Sequence, residues 1–212
     1  MSSLVILISG RGSNMQALLD ADLPVSRITV ISNNPDAAGL LIAQREGVET
    51  CIVDHRAFAD RQTFDLALAR AIDACHPKLV ALAGFMRILS DRFVHHYHGR
   101  LMNIHPSLLP AYPGLGTHTR ALQEGTRIHG CTVHFVTAQL DHGPIVIQAA
   151  IPVLPTDTEN SLAQRVLQQE HRIYPQAVRW FLQDQIHITD NHVTISSSHT
   201  SEAALYSPEC AT

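Results

Sequence analysis

The 212-residue chain is 45% hydrophobic and 16% charged, which provides for a globular core and excludes disorder as the dominant state. Its 15 Lys and Arg against 19 Asp and Glu leave a net charge of −4, so no basic surplus exists to neutralise a nucleic-acid backbone. The 14 histidines are the unusual count: protonating all of them would move the net charge to +10, making it steeply sensitive to mildly acidic pH. No apolar run approaches the roughly 20 residues of a membrane span. The segment Met1–Gly10 lacks the basic region and cleavage pattern of a signal peptide. Cys51, Cys75, Cys131 and Cys210 form no CxxC pair, so neither a disulfide framework nor a zinc knuckle is suggested. A soluble cytoplasmic protein with no nucleic-acid or membrane partner is expected.

In chain order, the run 4–8 predicts a buried strand, a Gly-rich turn and then a helix to about Asp20. Strands are predicted at 28–31, 50–53 and 79–83. Between them, helices are predicted at 37–46, stopped by Gly47, and from near Ala57 to Cys75. This alternation predicts parallel strands with right-handed crossovers. The second half differs. A strand over 100–104 runs into a rigid stretch containing Pro106, Pro110 and Pro113. Strands over 130–136 and 144–153 follow. A long helix is predicted over 157–182, capped by Thr156 or Asp157, and a hairpin spans 186–195. The fold expected is α/β, with a doubly wound, mostly parallel sheet, an antiparallel addition in the C-terminal half and a short terminal hairpin. One domain is expected over 1–195, with a loose polar tail over 196–212.

Three short constellations can carry chemistry. Ser9-Gly10-Arg11-Gly12-Ser13-Asn14 follows the first strand, where glycines and free backbone N–H groups suit a single phosphate. It matches neither GxGxxG nor GK[ST], and a plain tight turn is the bland alternative. Asn103 and His105 stand two apart, so on a continuing strand both share one face. An amide and an imidazole side by side can stabilise an oxyanion and move a proton. An Asn turn and a packed histidine would look the same. Asp141, in the turn Asp141-His142-Gly143-Pro144, is either an Asx-turn residue or a carboxylate that orients His105. Spacing alone does not bring it to His105.

Taken jointly, the SGxGSN turn, Ala83–Leu89, Asn103–Pro110, Tyr112–Gly114, Gly130–Val136, Asp141–Ile145 and Gln169–Pro175 occur in an order that closely resembles the phosphoribosylglycinamide formyltransferases. The resemblance covers about residues 3–182. It implies formyl transfer from 10-formyltetrahydrofolate, a co-substrate, to glycinamide ribonucleotide in purine biosynthesis, with no metal required. It implies a catalytic role for Asn103, His105 and Asp141, and ribonucleotide and phosphate binding by Gly12, Ser13, Asn14 and Glu170. Folate binding is implied for Arg61, Met86, Arg87, Ile88 and Leu89, together with Asn103 and the loop Thr137, Ala138, Gln139, Leu140 and Asp141. A homodimer is in keeping with the resemblance. Two departures stand out: Gly116 replaces a usual histidine, and His142 stands where the family often has Gly. His118 and His134 are further candidate neighbours of the site. The alternatives within the class are formyltetrahydrofolate hydrolase or another formyltransferase. Outside it, His95 and His98 suggest a metal pair or, more simply, a solvated helix, and the parallel sheet would also permit a nucleotide sensor without turnover.

Overall fold

The computed structural model describes residues 2–196 and 204–208. Most of the expected tail 196–212, including Cys210, lies outside the described residues. In chain order the elements are β1 (Ser3–Ile8), α1 (Ser13–Leu19), β2 (Arg27–Ser32), α2 (Ala38–Arg45) and β3 (Glu49–Ile52). They continue with α3 (Arg61–Asp73), β4 (Leu79–Leu82), α4 (Asp91–His96), β5 (Leu101–His105) and α5 (Thr117–Gln123). The last are β6 (Ile128–Phe135), β7 (Ile145–Pro152), α6 (Glu159–Leu182), β8 (Ile186–Thr189) and β9 (His192–Ile195).

Seven strands make one sheet in the order β3-β2-β1-β4-β5-β6-β7, while β8 and β9 pair separately. β1 to β5 run parallel, and β6 and β7 are added antiparallel. The expected α/β architecture is therefore the observed one, including the terminal hairpin. The chain first winds outward from β1 to β3, then returns to lay β4 on the other side of β1. Loops leaving β1 and β4 consequently diverge, and the crevice they leave at the carboxyl ends of the strands is where open α/β sheets bind ligands.

Side-chain alternation divides the core into two layers. Leu4, Ile6, Ile8, Leu79, Ala81 and Met102 pack under α1, α2 and α6. Val5, Leu7, Val80, Leu82 and Leu101 pack under α3 and α4. By the same parity Asn103 and His105 share the face of Leu101. Their cross-strand partners His134 and Thr132 lie beside them. α3 and α4 pack over the centre of this face, so above β5 and β6 it is met by loops.

Several boundaries differ from the sequence expectation for local reasons. α3 begins at Arg61 rather than near Ala57, because Asp60 accepts the Thr63 N–H at 2.8 Å, and residues 55–57 form a separate 3-10 turn. α6 is capped by Thr158, not by Thr156 or Asp157. Thr158 and Ser161 exchange side-chain and backbone hydrogen bonds, a reciprocal capping box. Asp157 instead accepts from Arg165 at 2.7 Å and from the Leu154 N–H at 2.8 Å. α5 went unread because its buried residues are only Thr117 and Ala121, too few to make a stripe. Replacing Thr158 with Ala is expected to lower unfolding free energy by about 1 kcal/mol through loss of the cap, with a urea titration as the measurement and unchanged stability as the contrary result.

Candidate active site

β5 ends at His105, and the strand continues through it, so Asn103 and His105 do share one face. The proline-rich stretch after His105 is tied down from beneath by Thr132 on β6. The Thr132 hydroxyl donates to the Ser107 carbonyl at 2.7 Å and accepts the Leu109 N–H at 3.0 Å. Ser107 in turn donates to the Ala111 carbonyl at 2.6 Å. The stretch folds back until His105 Nε2 stands 2.9 Å from the Tyr112 carbonyl oxygen. A carbonyl only accepts, so Nε2 carries a proton.

Asp141 reaches the other side of the same ring. Its Oδ2 lies 3.5 Å from His105 Nδ1 and accepts the Gly114 N–H at 2.8 Å. The imidazole and carboxylate are both largely buried, at 8% and 9% side-chain exposure, so little water screens them. The turn that delivers Asp141 is closely confined. Asp141 adopts a positive φ of 51°, and a Cβ on Gly143 would fall 1.6 Å from the Phe135 carbonyl oxygen.

His134 completes the polar face. Its Nδ1–H donates to the Phe135 carbonyl at 3.0 Å, and its Nε2 accepts from Asn103 Nδ2 at 3.2 Å. The second bond requires a neutral ring, since a protonated Nε2 could not accept. Burial, which penalises the cation, pushes the His134 imidazole down to about 4. His134 is thus a satisfied buried histidine and, at the same time, the residue that aims the Asn103 amide. Its Nε2 stands 3.9 Å from Asp141 Oδ1.

A cavity of about 130 Å³ opens beside Asn103, His134 and Asp141. Arg87, Ile88 and Leu89 form one wall, and Thr137, Ala138 and Leu140 another. Most of the expected folate segment therefore converges on Asn103 and Asp141, while His105 lies behind Asp141 and does not line this cavity. Met86 and Gln139 belong to the same two loops but do not line this cavity. Arg61 is exposed at the start of α3, one turn before Asp65, whose Oδ2 accepts the Ser90 N–H at 2.6 Å. That places Arg61 near the loop rather than in the cavity. Ile88 and Leu140 remain 65% and 56% exposed, an apolar rim suited to a flat ring.

The first-strand loop lies on the opposite side of the crevice. Gly12 has φ 81°, and a Cβ there would come within 2.7 Å of Gly39 Cα, so both the turn and the approach of α2 require glycine. Ser13 and Asn14 open α1, whose first-turn N–H groups have no acceptor within the helix. Asn14 Nδ2 donates to Glu170 Oε2 at 2.6 Å, and Asn14 Oδ1 is buried without a partner. Burial raises the Glu170 carboxyl, with the Asn14 bond opposing that shift. These ribonucleotide candidates are therefore brought together from opposite ends of the chain.

Tyr112 and Gly114 belong to a motif that the sequence marks, but the part they play at the site, through backbone atoms, has no side-chain signal. His118 does not touch Asp141; its Nδ1 lies 3.1 Å from His129 Nε2, forming a pair behind the proline-rich stretch. Gly116 is the left-handed residue, φ 66°, that starts α5. His142 lines a neighbouring cavity of about 400 Å³ with Asn191 and His192 of the terminal hairpin. The suggested His95/His98 pair is not on one helix face, because α4 ends at His96, which bonds to Asp73 at 2.9 Å. Among the described residues no three His, Cys, Asp or Glu side chains converge as a metal site. Among the same residues no helix is long and apolar enough to cross a membrane.

Residues 2–178 match the formyl transferase family. The chain is 48% identical over 194 residues to the phosphoribosylglycinamide formyltransferase of Escherichia coli, covering 89% of this chain and 91% of that one. It is 46% identical over 181 residues to the trifunctional purine biosynthetic protein adenosine-3 of Drosophila melanogaster, covering 82% of this chain but 13% of that protein. Among solved structures, glycinamide ribonucleotide transformylase 1 from Symbiobacterium toebii superposes with a TM-score of 0.89 at 46% identity, covering 92% of this chain and 94% of that chain.

The buried histidines predict an acid-side instability. Burial pushes His129 and His134 down to about 4 and also lowers His118 and His171. Between about 4 and the ordinary histidine value near 6.5, the unfolded chain binds more protons than the native one, so stability falls as pH falls through that window. The raised Glu170 acts with the opposite sign, since its native carboxyl holds a proton to higher pH. His129→Gln is expected to flatten the decline in urea midpoint between pH 6.5 and pH 4. Parallel declines for variant and parent would contradict the assignment.

Proposed function

The chain belongs to the formyl transferase family, and on that premise we propose that Asn103, His105 and Asp141 carry its chemistry. The reaction is transfer of the formyl group of 10-formyltetrahydrofolate to the amine of glycinamide ribonucleotide. The products are formylglycinamide ribonucleotide and tetrahydrofolate, in purine biosynthesis. The observation that carries the residue assignment is the approach of Asp141 to His105 Nδ1 at 3.5 Å, at the edge of a cavity onto which Asn103 opens.

Each residue has a task that follows from its surroundings. His105 faces the Tyr112 carbonyl at Nε2 and the Asp141 carboxylate at Nδ1, so both ring nitrogens stand against acceptors. The amine nitrogen attacks the formyl carbon and the carbonyl electron pair moves onto oxygen. Asn103, aimed by His134, and the Nε2–H of His105 stabilise that oxygen. His105 does so by turning its Nε2–H from the Tyr112 carbonyl to the substrate. Such donors in a dry site contribute about 3 kcal/mol each to the transition state. Asp141 holds the imidazole and routes the amine proton, through water, to the departing folate nitrogen. The carbon–nitrogen bond to the folate then breaks as the carbonyl re-forms, and no oxidant or nucleotide triphosphate is consumed.

The flanking surfaces take the two substrates. Gly12, Ser13 and Asn14 hold the phosphate of the ribonucleotide. Glu170 and the unpartnered Asn14 Oδ1 accept hydrogen bonds from its hydroxyl groups. Met86, Arg87, Ile88, Leu89 and the loop from Thr137 to Asp141 enclose the folate ring, and Arg61 meets its acidic tail. A cytoplasmic location belongs to the same reading. His105→Ala or Asp141→Ala is expected to lower kcat by at least ~10²-fold while circular dichroism stays native. Near-normal turnover of both variants would refute the assignment. Formate release without the ribonucleotide at a rate matching transfer would favour a hydrolase instead.

A further inference from the structure

We infer that Ser9 is a positioning residue for the formyl-donor cavity, an inference that rests on the function proposed above. Ser9 directly follows β1, the strand at which the sheet order reverses, and each of its polar atoms is engaged. Its N–H donates to the Gly84 carbonyl at 3.2 Å. Its Oγ accepts the Met86 N–H at 2.8 Å. The hydroxyl proton goes to Asn33 Oδ1 at 2.5 Å, and the Ser9 carbonyl accepts from Asn34 Nδ2 at 3.4 Å. One side chain and its own amide therefore grip both ends of the turn Gly84–Met86.

The turn depends on that grip because little else holds it. Met86 and Ile88 are 64% and 65% exposed, and of residues 84–88 only Phe85 packs into the core, at 9%. Gly84 has φ 76°, a conformation in which glycine gives freedom rather than rigidity. Yet the three residues that follow, Arg87, Ile88 and Leu89, form one wall of the cavity beside Asn103 and Asp141. The direction of the hydroxyl matters too. Asn33, 3% exposed, takes the only proton Ser9 Oγ has, leaving a lone pair for the Met86 amide. Gly10, the next residue, accepts the Gly39 N–H at 3.0 Å through its carbonyl and leads into the phosphate loop. The same strand end thereby sets the donor wall on one side and the acceptor loop on the other.

Ser9→Ala removes the grip on Met86 without touching either substrate. Losing the Oγ bonds to the Met86 amide and to Asn33 is expected to raise KM for 10-formyltetrahydrofolate about five- to tenfold, while KM for glycinamide ribonucleotide stays within about twofold. Amide hydrogen exchange, followed on the peptide covering 84–89, is expected to accelerate by a similar factor with the rest of the sheet unchanged. Ser9→Thr, which keeps the γ-oxygen, is expected to restore both readouts, and it carries the test alone should the alanine variant fail to fold. Unchanged donor KM, an equal rise in both KM values, or a threonine variant that behaves like alanine would each overturn the inference. Turnover by the unaltered protein tests the proposed function separately, so failure of one is not mistaken for failure of the other.

Discussion

The reversal of strand order between β1 and β4 is the constraint on which the rest of the molecule depends. Two parallel strands that leave the sheet in opposite directions cannot be joined across their carboxyl ends, so a crevice is forced between their loops. One side of it receives the Gly10–Asn14 loop and the other the Gly84–Leu89 loop. β5, added next to β4, brings Asn103 and His105 to the same edge. The two proposed substrate surfaces and the proposed reacting groups are thus neighbours because of topology, before any side chain is chosen.

Topology brings the strand ends together, but the antiparallel addition makes the centre reactive. A further parallel strand would have needed another crossover helix, and that helix would have covered the face bearing His105. β6 and β7 return without one, leaving that face to loops. Polar side chains can therefore face inward there, as Asn103, His105, Thr132 and His134 do. Each is matched to a partner, which keeps the burial affordable. The neutral His134 and the doubly accepted His105 show how one layer holds two imidazoles in different surroundings. Burial outweighs the other influences on the first, and the Asp141 carboxylate stands nearer the second.

Legibility in the sequence followed the range of the interaction involved. β1 and β4 are wholly apolar runs, and their burial on both faces needed nothing but composition. The shared face of Asn103 and His105 followed from strand periodicity, which is local. The approach of Asp141 to His105 did not, because it depends on the pairing of β5 with β6 and on a turn fixed by Gly143. The tasks of Tyr112, Gly114 and Met86 were not legible for another reason: they act through carbonyl or amide groups that every residue type possesses. The cap of α6 shows a narrower failure. Thr158 and Asp157 are both good caps, and the choice fell to Thr158 as Arg165 drew the Asp157 carboxylate elsewhere.

The turn around Asp141 treats its adjacent positions very differently. At 143 the Phe135 carbonyl leaves no volume for a β-carbon, so glycine is the sole residue that keeps the strand pairing. At 142 the side chain projects toward the terminal hairpin, and a histidine is accommodated there without disturbing Asp141. Substitution beside Asp141 is therefore sterically open at 142 and closed at 143. The hairpin, not the catalytic layer, is the surface that registers the change.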